Sequence, residues 1–148
     1  MAVNTDPRLQ NQIIYSIYVR NHTPEGTFRA VIGDLDRVRA LGTDIIWLMP
    51  IHPIGVQGKL GCPYANRDYR SVNPEYGTME DFQELVRQIH ARGMKCMIDV
   101  VYNHTSPDSV LYAEHPEYFY HNKEGKPGNK VGDWADVIDL DYTNRELW

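Results

Sequence analysis

Asp99, Asn103 and His104 offer the most chemistry in this chain, because they fall within one short stretch, Asp99-Val100-Val101-Tyr102-Asn103-His104. An acid sits inside an apolar run, and two polar groups finish the run. A carboxylate within an apolar β-segment is costly to ionise unless a cation or several donors meet it. Asn and His at the carboxyl end of a parallel strand stand where α/β barrels hold their reactive groups. A plain structural alternative lies beside this: Asn as a turn cap, His as a strand-end residue held by backbone, and Asp99 paired with Arg20 or Arg70. Read as metal ligands, Asp99, Asn103 and His104 would suggest a metal-dependent barrel hydrolase, although they are too few strong ligands for a complete site. Cys62 and Cys96 have no metal-ligand spacing and fit a reduced cytosolic interior. His22, His52, His115 and His121 fall in loops without metal spacing, and His90 lies beside the apolar stripe of a helix.

The elements that must position these residues follow from hydrophobic period and punctuation. Met94–Val101 follows Gly93 and reads as a buried parallel strand. Ile13–Val19 is β-branched and aromatic, a first strand. Beyond the turn at Asn21–Gly26, Thr27 is placed to cap a helix. Phe28, Val31, Ile32, Leu35, Val38 and Leu41 form its apolar stripe, and Gly42 ends it. Asp44–Met49 is a second strand closed by Pro50, followed by a long loop over Ile51–Gly77. Thr78 and Asp81 resemble a capping box, with Asp in place of the usual Glu. Phe82, Leu85, Val86 and Ile89 then mark a second helix, ended by Gly93. This alternation predicts βαβ units around a parallel sheet. From Thr105 onward the period dissolves into an irregular segment, with Thr143 or Asn144 placed to cap one more helix.

Composition narrows the function. The 148 residues are 42% apolar, which suits one soluble globular domain, and no stretch has the apolar length to span a bilayer. A net charge of −5 lacks the basic footprint of a nucleic-acid binder. Met1–Gln12 is polar and carries no secretory h-region, so the expected location is cytoplasmic. Ten Tyr and three Trp are a weak hint of a stacking ligand such as sugar.

The chain resembles the amino-terminal part of the α-amylase family (glycoside hydrolase family 13). Asp99-Val100-Val101-Tyr102-Asn103-His104 is similar to its Asp-Val-Val-x-Asn-His signature at the end of the third barrel strand. Leu41–Pro50 resembles its second-strand Gly-x-x-x-Ile-Trp-Leu-x-Pro motif. Tyr64–Tyr69 with Asn73–Thr78 resembles its Gly-Tyr-x-x-x-Asp-Tyr and Pro-x-Tyr-Gly-Thr stretches, and Ile138–Asp141 its Pro-Asp-Leu-Asp signature. Cys62-Pro63 and Ala65 depart from the frequent residues around Tyr64, and Asn21–Gly26 lacks the acidic calcium loop some members carry. The resemblance covers about residues 12–148, with four collinear matches.

It implies an α/β fold: a partial TIM (β/α)8 barrel with the first three strands and two helices, followed by the inserted irregular domain B. The corresponding boundaries are 1–102 for the barrel portion, 103–142 for domain B and 143–148 for the start of the next barrel helix. It implies a retaining glycoside hydrolase or transglycosidase acting on α-glucosidic bonds of α-glucans or maltooligosaccharides. Tyr64 would stack on the sugar beside the scissile bond, and His104 would hydrogen-bond a hydroxyl of that sugar. Asp99 would hold an arginine from the next barrel strand. Asn103 and Asp139 match positions that bind calcium in many members, and Ca²⁺ favours such oxygen ligands. Each has a bland counterpart, from a rim tyrosine to a backbone-held histidine. The nucleophile motif Gly-x-Arg-x-Asp does not occur in these residues. A full barrel needs about 250 residues, so the chain alone is expected to be inactive and to self-associate through uncovered strands. A non-catalytic amylase-like binding or scaffold protein is the remaining alternative.

Overall fold

The computed structural model describes residues 5–56, 61–132 and 134–148. Residues 1–4 of the polar amino-terminal stretch, 57–60 of the long loop and 133 lie outside the described residues. Two compact units emerge. One takes the residues up to Met49 together with Glu75–Asp99, and the other takes Pro50–Pro74 together with Val100–Trp148.

In the first unit, β1 (Ile14–Ile17), β2 (Ile45–Leu48) and β3 (Lys95–Ile98) form a parallel sheet in that order, with Ile14 opposite Ile45 and Ile46 opposite Cys96. A four-residue helix, α1 (Val19–His22), follows β1 where the sequence suggested that strand and turn continue. The two long helices are α2 (Phe28–Ala40) and α3 (Met79–Ala91), packed on each other. Thr27 caps α2 by accepting from the Ala30 N–H. Thr78 and Asp81 form the reciprocal box at α3: Thr78 Oγ1 accepts from the Asp81 N–H, and the Asp81 carboxylate accepts from the Thr78 N–H. Gly77 has φ +128°, and a Cβ there would meet Asp81 Oδ2 at 2.7 Å, so the approach to the box requires glycine. Phe28, Val31, Leu35 and Val38 of α2 and Leu85 and Ile89 of α3 are buried, as their spacing predicts. Phe28 also packs edge-on against Tyr76, with centroids 5.7 Å apart.

Two expectations need correction. Leu41 falls outside the apolar stripe: it is the cap residue of α2 and is exposed. The third strand is shorter than Met94–Val101 and is not buried. Among the described residues β2 is its one partner, and Met97 is 40% and Ile98 38% exposed. An apolar composition is shared by central and edge strands, and position within the sheet is a tertiary property.

The second unit is mostly irregular. Its regular pieces are β4 (His104–Thr105) paired antiparallel with β5 (Ile138–Asp139), and a short helix, α4 (Val110–Glu114), capped by Ser109. Single 3-10 turns cover Pro116–Tyr118 and Arg145–Leu147, and Asn144, one of the two expected cap residues, caps the latter. Phe119, Ile138 and Leu140 form a small core, joined by Leu111, Tyr112, Tyr118 and Leu147. Gly55 lies against the segment after β4: a Cβ at this position would meet Ser106 Cβ at 2.2 Å. Thr78→Ala removes one half of the α3 box and should lower unfolding stability by about 1 kcal/mol, read from urea denaturation.

Candidate functional site

Three of the residues singled out in the sequence line one cavity of about 520 Å³ in the second unit: Tyr64, Asn103 and His104. Cys62, Val101, Trp134, Asp136 and Val137 complete its lining. Asp99 is not among these residues. It directly follows β3 in the first unit, half-buried, and its N–H donates to the Leu48 carbonyl at 2.8 Å. Of the arginines considered for it, Arg20 bonds to Glu75 at 2.5 Å and Arg70 to Glu114 at 2.8 Å.

The position of His104 follows from β4. Its backbone pairs with Asp139, and the Leu140 N–H donates to the Asn103 carbonyl at 3.0 Å. The imidazole is nine-tenths buried, and its Nδ1 meets no hydrogen-bonding partner among the described residues. Buried polar nitrogens normally have a partner, so Nδ1 is an enclosed, unpaired nitrogen, while the residue as a whole lines the cavity. The Trp134 ring stands edge-on to that imidazole, with centroids 6.1 Å apart, while the indole remains half exposed. Aromatic faces of this kind suit the apolar face of a pyranose, and Asp136 can accept from its hydroxyls.

Tyrosines fix the backbone leading to Asn103. The Tyr69 hydroxyl donates to the Val101 carbonyl at 2.6 Å, its ring stacks on Tyr102, and the Tyr142 hydroxyl donates to the Tyr102 carbonyl. Burial pushes the Tyr69 phenol up to about 12, with the nearby Tyr142 and Tyr102 adding to the shift. It therefore remains a donor throughout the neutral range.

Beside the cavity lies a cleft of about 290 Å³ shared by Asn103, His104, Trp134, Lys130, Asp139 and Tyr142. Asn103 and Asp139, the residues expected near calcium, thus line the same cleft. Asp139 Oδ2 already accepts from the Lys130 N–H at 2.8 Å. Ca²⁺ takes six to eight oxygens, and the described residues hold no group of three or more His, Cys, Asp or Glu side chains able to bind a metal. Asn103 and Asp139 would supply two of those oxygens.

Sequence reasoning did not single out Trp134 or Asp136 as site residues, and it read Cys62 only as a free thiol beside Tyr64. Trp134 and Asp136 sit in an aperiodic loop, and their usable signal was position, immediately before Ile138–Asp141. The loop is held by Asn129, whose Nδ2 donates to the carbonyls of Trp134 at 2.5 Å and Val137 at 3.3 Å, and whose Oδ1 accepts from the Gly132 N–H at 2.6 Å. Such a hub has no local sequence pattern.

Comparisons with known proteins place the chain among relatives. A family model described as alpha amylase, catalytic domain, matches residues 5–143. The structure is similar to the crystal structure of an alpha-amylase from Lactobacillus plantarum, at 59% identity and a TM-score of 0.92, over 95% of this chain and 34% of that one. The sequence is 38% identical to trehalose-6-phosphate hydrolase of Escherichia coli K12 over 84% of this chain, and 34% identical to oligo-1,6-glucosidase of Halalkalibacterium halodurans over 85%. The chain spans about a quarter of the length of these curated relatives (24%).

Tyr69→Phe removes the bond to Val101 and should cost about 1 kcal/mol. Because the folded phenol titrates above its ordinary value, the wild type binds more protons folded than unfolded between about pH 10 and 12. Its stability should fall across that window, and the Tyr69→Phe variant should lose less there, as followed by denaturation against pH.

Proposed function

The chain belongs to the α-amylase family, and from that membership we propose that it forms part of the sugar-holding wall of a retaining glycoside hydrolase or transglycosidase acting on α-glucosidic bonds. The observation that supports this is the meeting of Tyr64 and His104 in one cavity beside Trp134. In this reading Tyr64 stacks on a glucosyl ring, and His104 bonds one of its hydroxyls. Asp99, at the end of β3, holds an arginine supplied by a later segment of the whole enzyme. Maltooligosaccharides and related α-glucans are the substrate class.

Retaining hydrolysis needs two carboxyl groups about 5–5.5 Å apart, one attacking the anomeric carbon and one serving as acid and then base. The nucleophile motif Gly-x-Arg-x-Asp is absent from the 148 residues. The role of these residues is therefore to bind and orient. No helix among the described residues is long and apolar enough to cross a membrane. Cys62 and Cys96 are both free, and burial pushes the Cys96 thiol up to about 11, so it stays protonated. The two free thiols support a cytoplasmic location.

The 148-residue chain should release no reducing sugar from maltotetraose, yet bind it weakly, as seen by NMR titration. Tyr64→Ala should weaken that binding about tenfold; unchanged binding refutes the stacking role. Hydrolysis by the chain alone would overturn the division of labour.

Ile13 and Ile14 at one edge strand and Met97 and Ile98 at the other are exposed apolar side chains. Self-association should therefore appear in sedimentation velocity as a concentration-dependent rise in mass, and a sharp monomer would contradict it.

A further inference from the structure

The relatives named above divide by the charge of the compound in their names: a hydrolase of a sugar phosphate on one side, a glucosidase on the other. The cavity itself carries information on that division. Its lining among the described residues holds one carboxylate, Asp136, and neither lysine nor arginine. Lys130 belongs to the adjacent cleft, where its ammonium lies over the Tyr120 ring at 5.6 Å. Arg67 is engaged elsewhere by Asp108 at 3.4 Å, and Arg70 by Glu114.

Resting on the reading of this cavity as a glucosyl site, we infer that Asp136 selects uncharged glucosyl residues and excludes sugar phosphates. A phosphate placed in so small a space lies on the order of one Debye length, about 8 Å, from the Asp136 carboxylate, where salt does not fully screen the repulsion. Recognition of phosphate ordinarily supplies arginine or lysine donors, and a carboxylate in their place is a repulsive element directed at the wrong ligand. For a neutral sugar the same carboxylate is favourable, since it accepts hydroxyl hydrogen bonds while Trp134 offers an aromatic face. Half-burial of Asp136 strengthens both effects relative to an open surface. The loop that carries the two residues is set by Asn129, which ties Trp134 and Val137 on either side of Asp136.

The test is an NMR titration of the 148-residue chain, read at the Trp134 indole N–H, with maltose and with maltose 6′-phosphate. Maltose should bind about tenfold more tightly, and the preference should shrink as sodium chloride is raised. Asp136→Asn should bring the two affinities together. Should that variant not fold, the salt series on the wild type decides the matter alone. Equal or tighter binding of the phosphate, or a preference indifferent to salt, overturns the inference. If maltose shifts Tyr64 and His104 yet the phosphate binds as well, the charge filter fails and the sugar-site reading stands. If maltose shifts none of these residues, both fall.

Discussion

A ladder of two residues against two carries the candidate site. His104 and Thr105 pair with Asp139 and Ile138, and the Asn103 carbonyl accepts from Leu140 just outside the pairing. On one strand of this ladder stands the imidazole that lines the cavity. The other continues the loop bearing Trp134 and Asp136. So short a ladder could not persist alone. It does so because Ile138 and Leu140 bury their side chains against Phe119, and because Thr105 lies fully buried with its hydroxyl donating to Ser109.

The two units solve the hydrogen-bonding problem differently. In the first, helices and a parallel sheet satisfy the backbone internally, and side chains intervene mainly at the caps. In the second, side chains take over that work: Asn129, Asp108 and Tyr69 each bond to backbone groups that no ladder reaches. Asp108 shows the cost and its offset. Burial alone would raise its carboxyl, but hydrogen bonds from Ser106, Val56 and its own N–H, with the charge of Arg67, hold it below the ordinary range. Fixed polar hubs of this kind let a largely irregular segment present a defined wall.

Much of the first unit was legible because its signals are local. Thr27, Thr78 and Asp81 cap as their types and spacing predict, and the buried stripes of α2 and α3 follow the helical period. The exposure of β3 was not legible, since the pattern Met-Lys-Cys-Met-Ile suits a strand anywhere in a sheet. In the site, Tyr64, Asn103 and His104 were found through motifs. Trp134 and Asp136 were not, because their approach to the cavity depends on Asn129 and on the pairing of segments more than thirty residues apart.

Gly55 extends the reach of the site into a loop with no reactive groups. Any single-base change in its codon that alters the amino acid installs a Cβ, which would drive into the Ser106 side chain two positions beyond His104. Backbone there would have to yield, and the imidazole would move with it. Missense variation at this glycine would therefore disturb the cavity indirectly, and mutagenesis libraries aimed at its lining should hold that codon fixed.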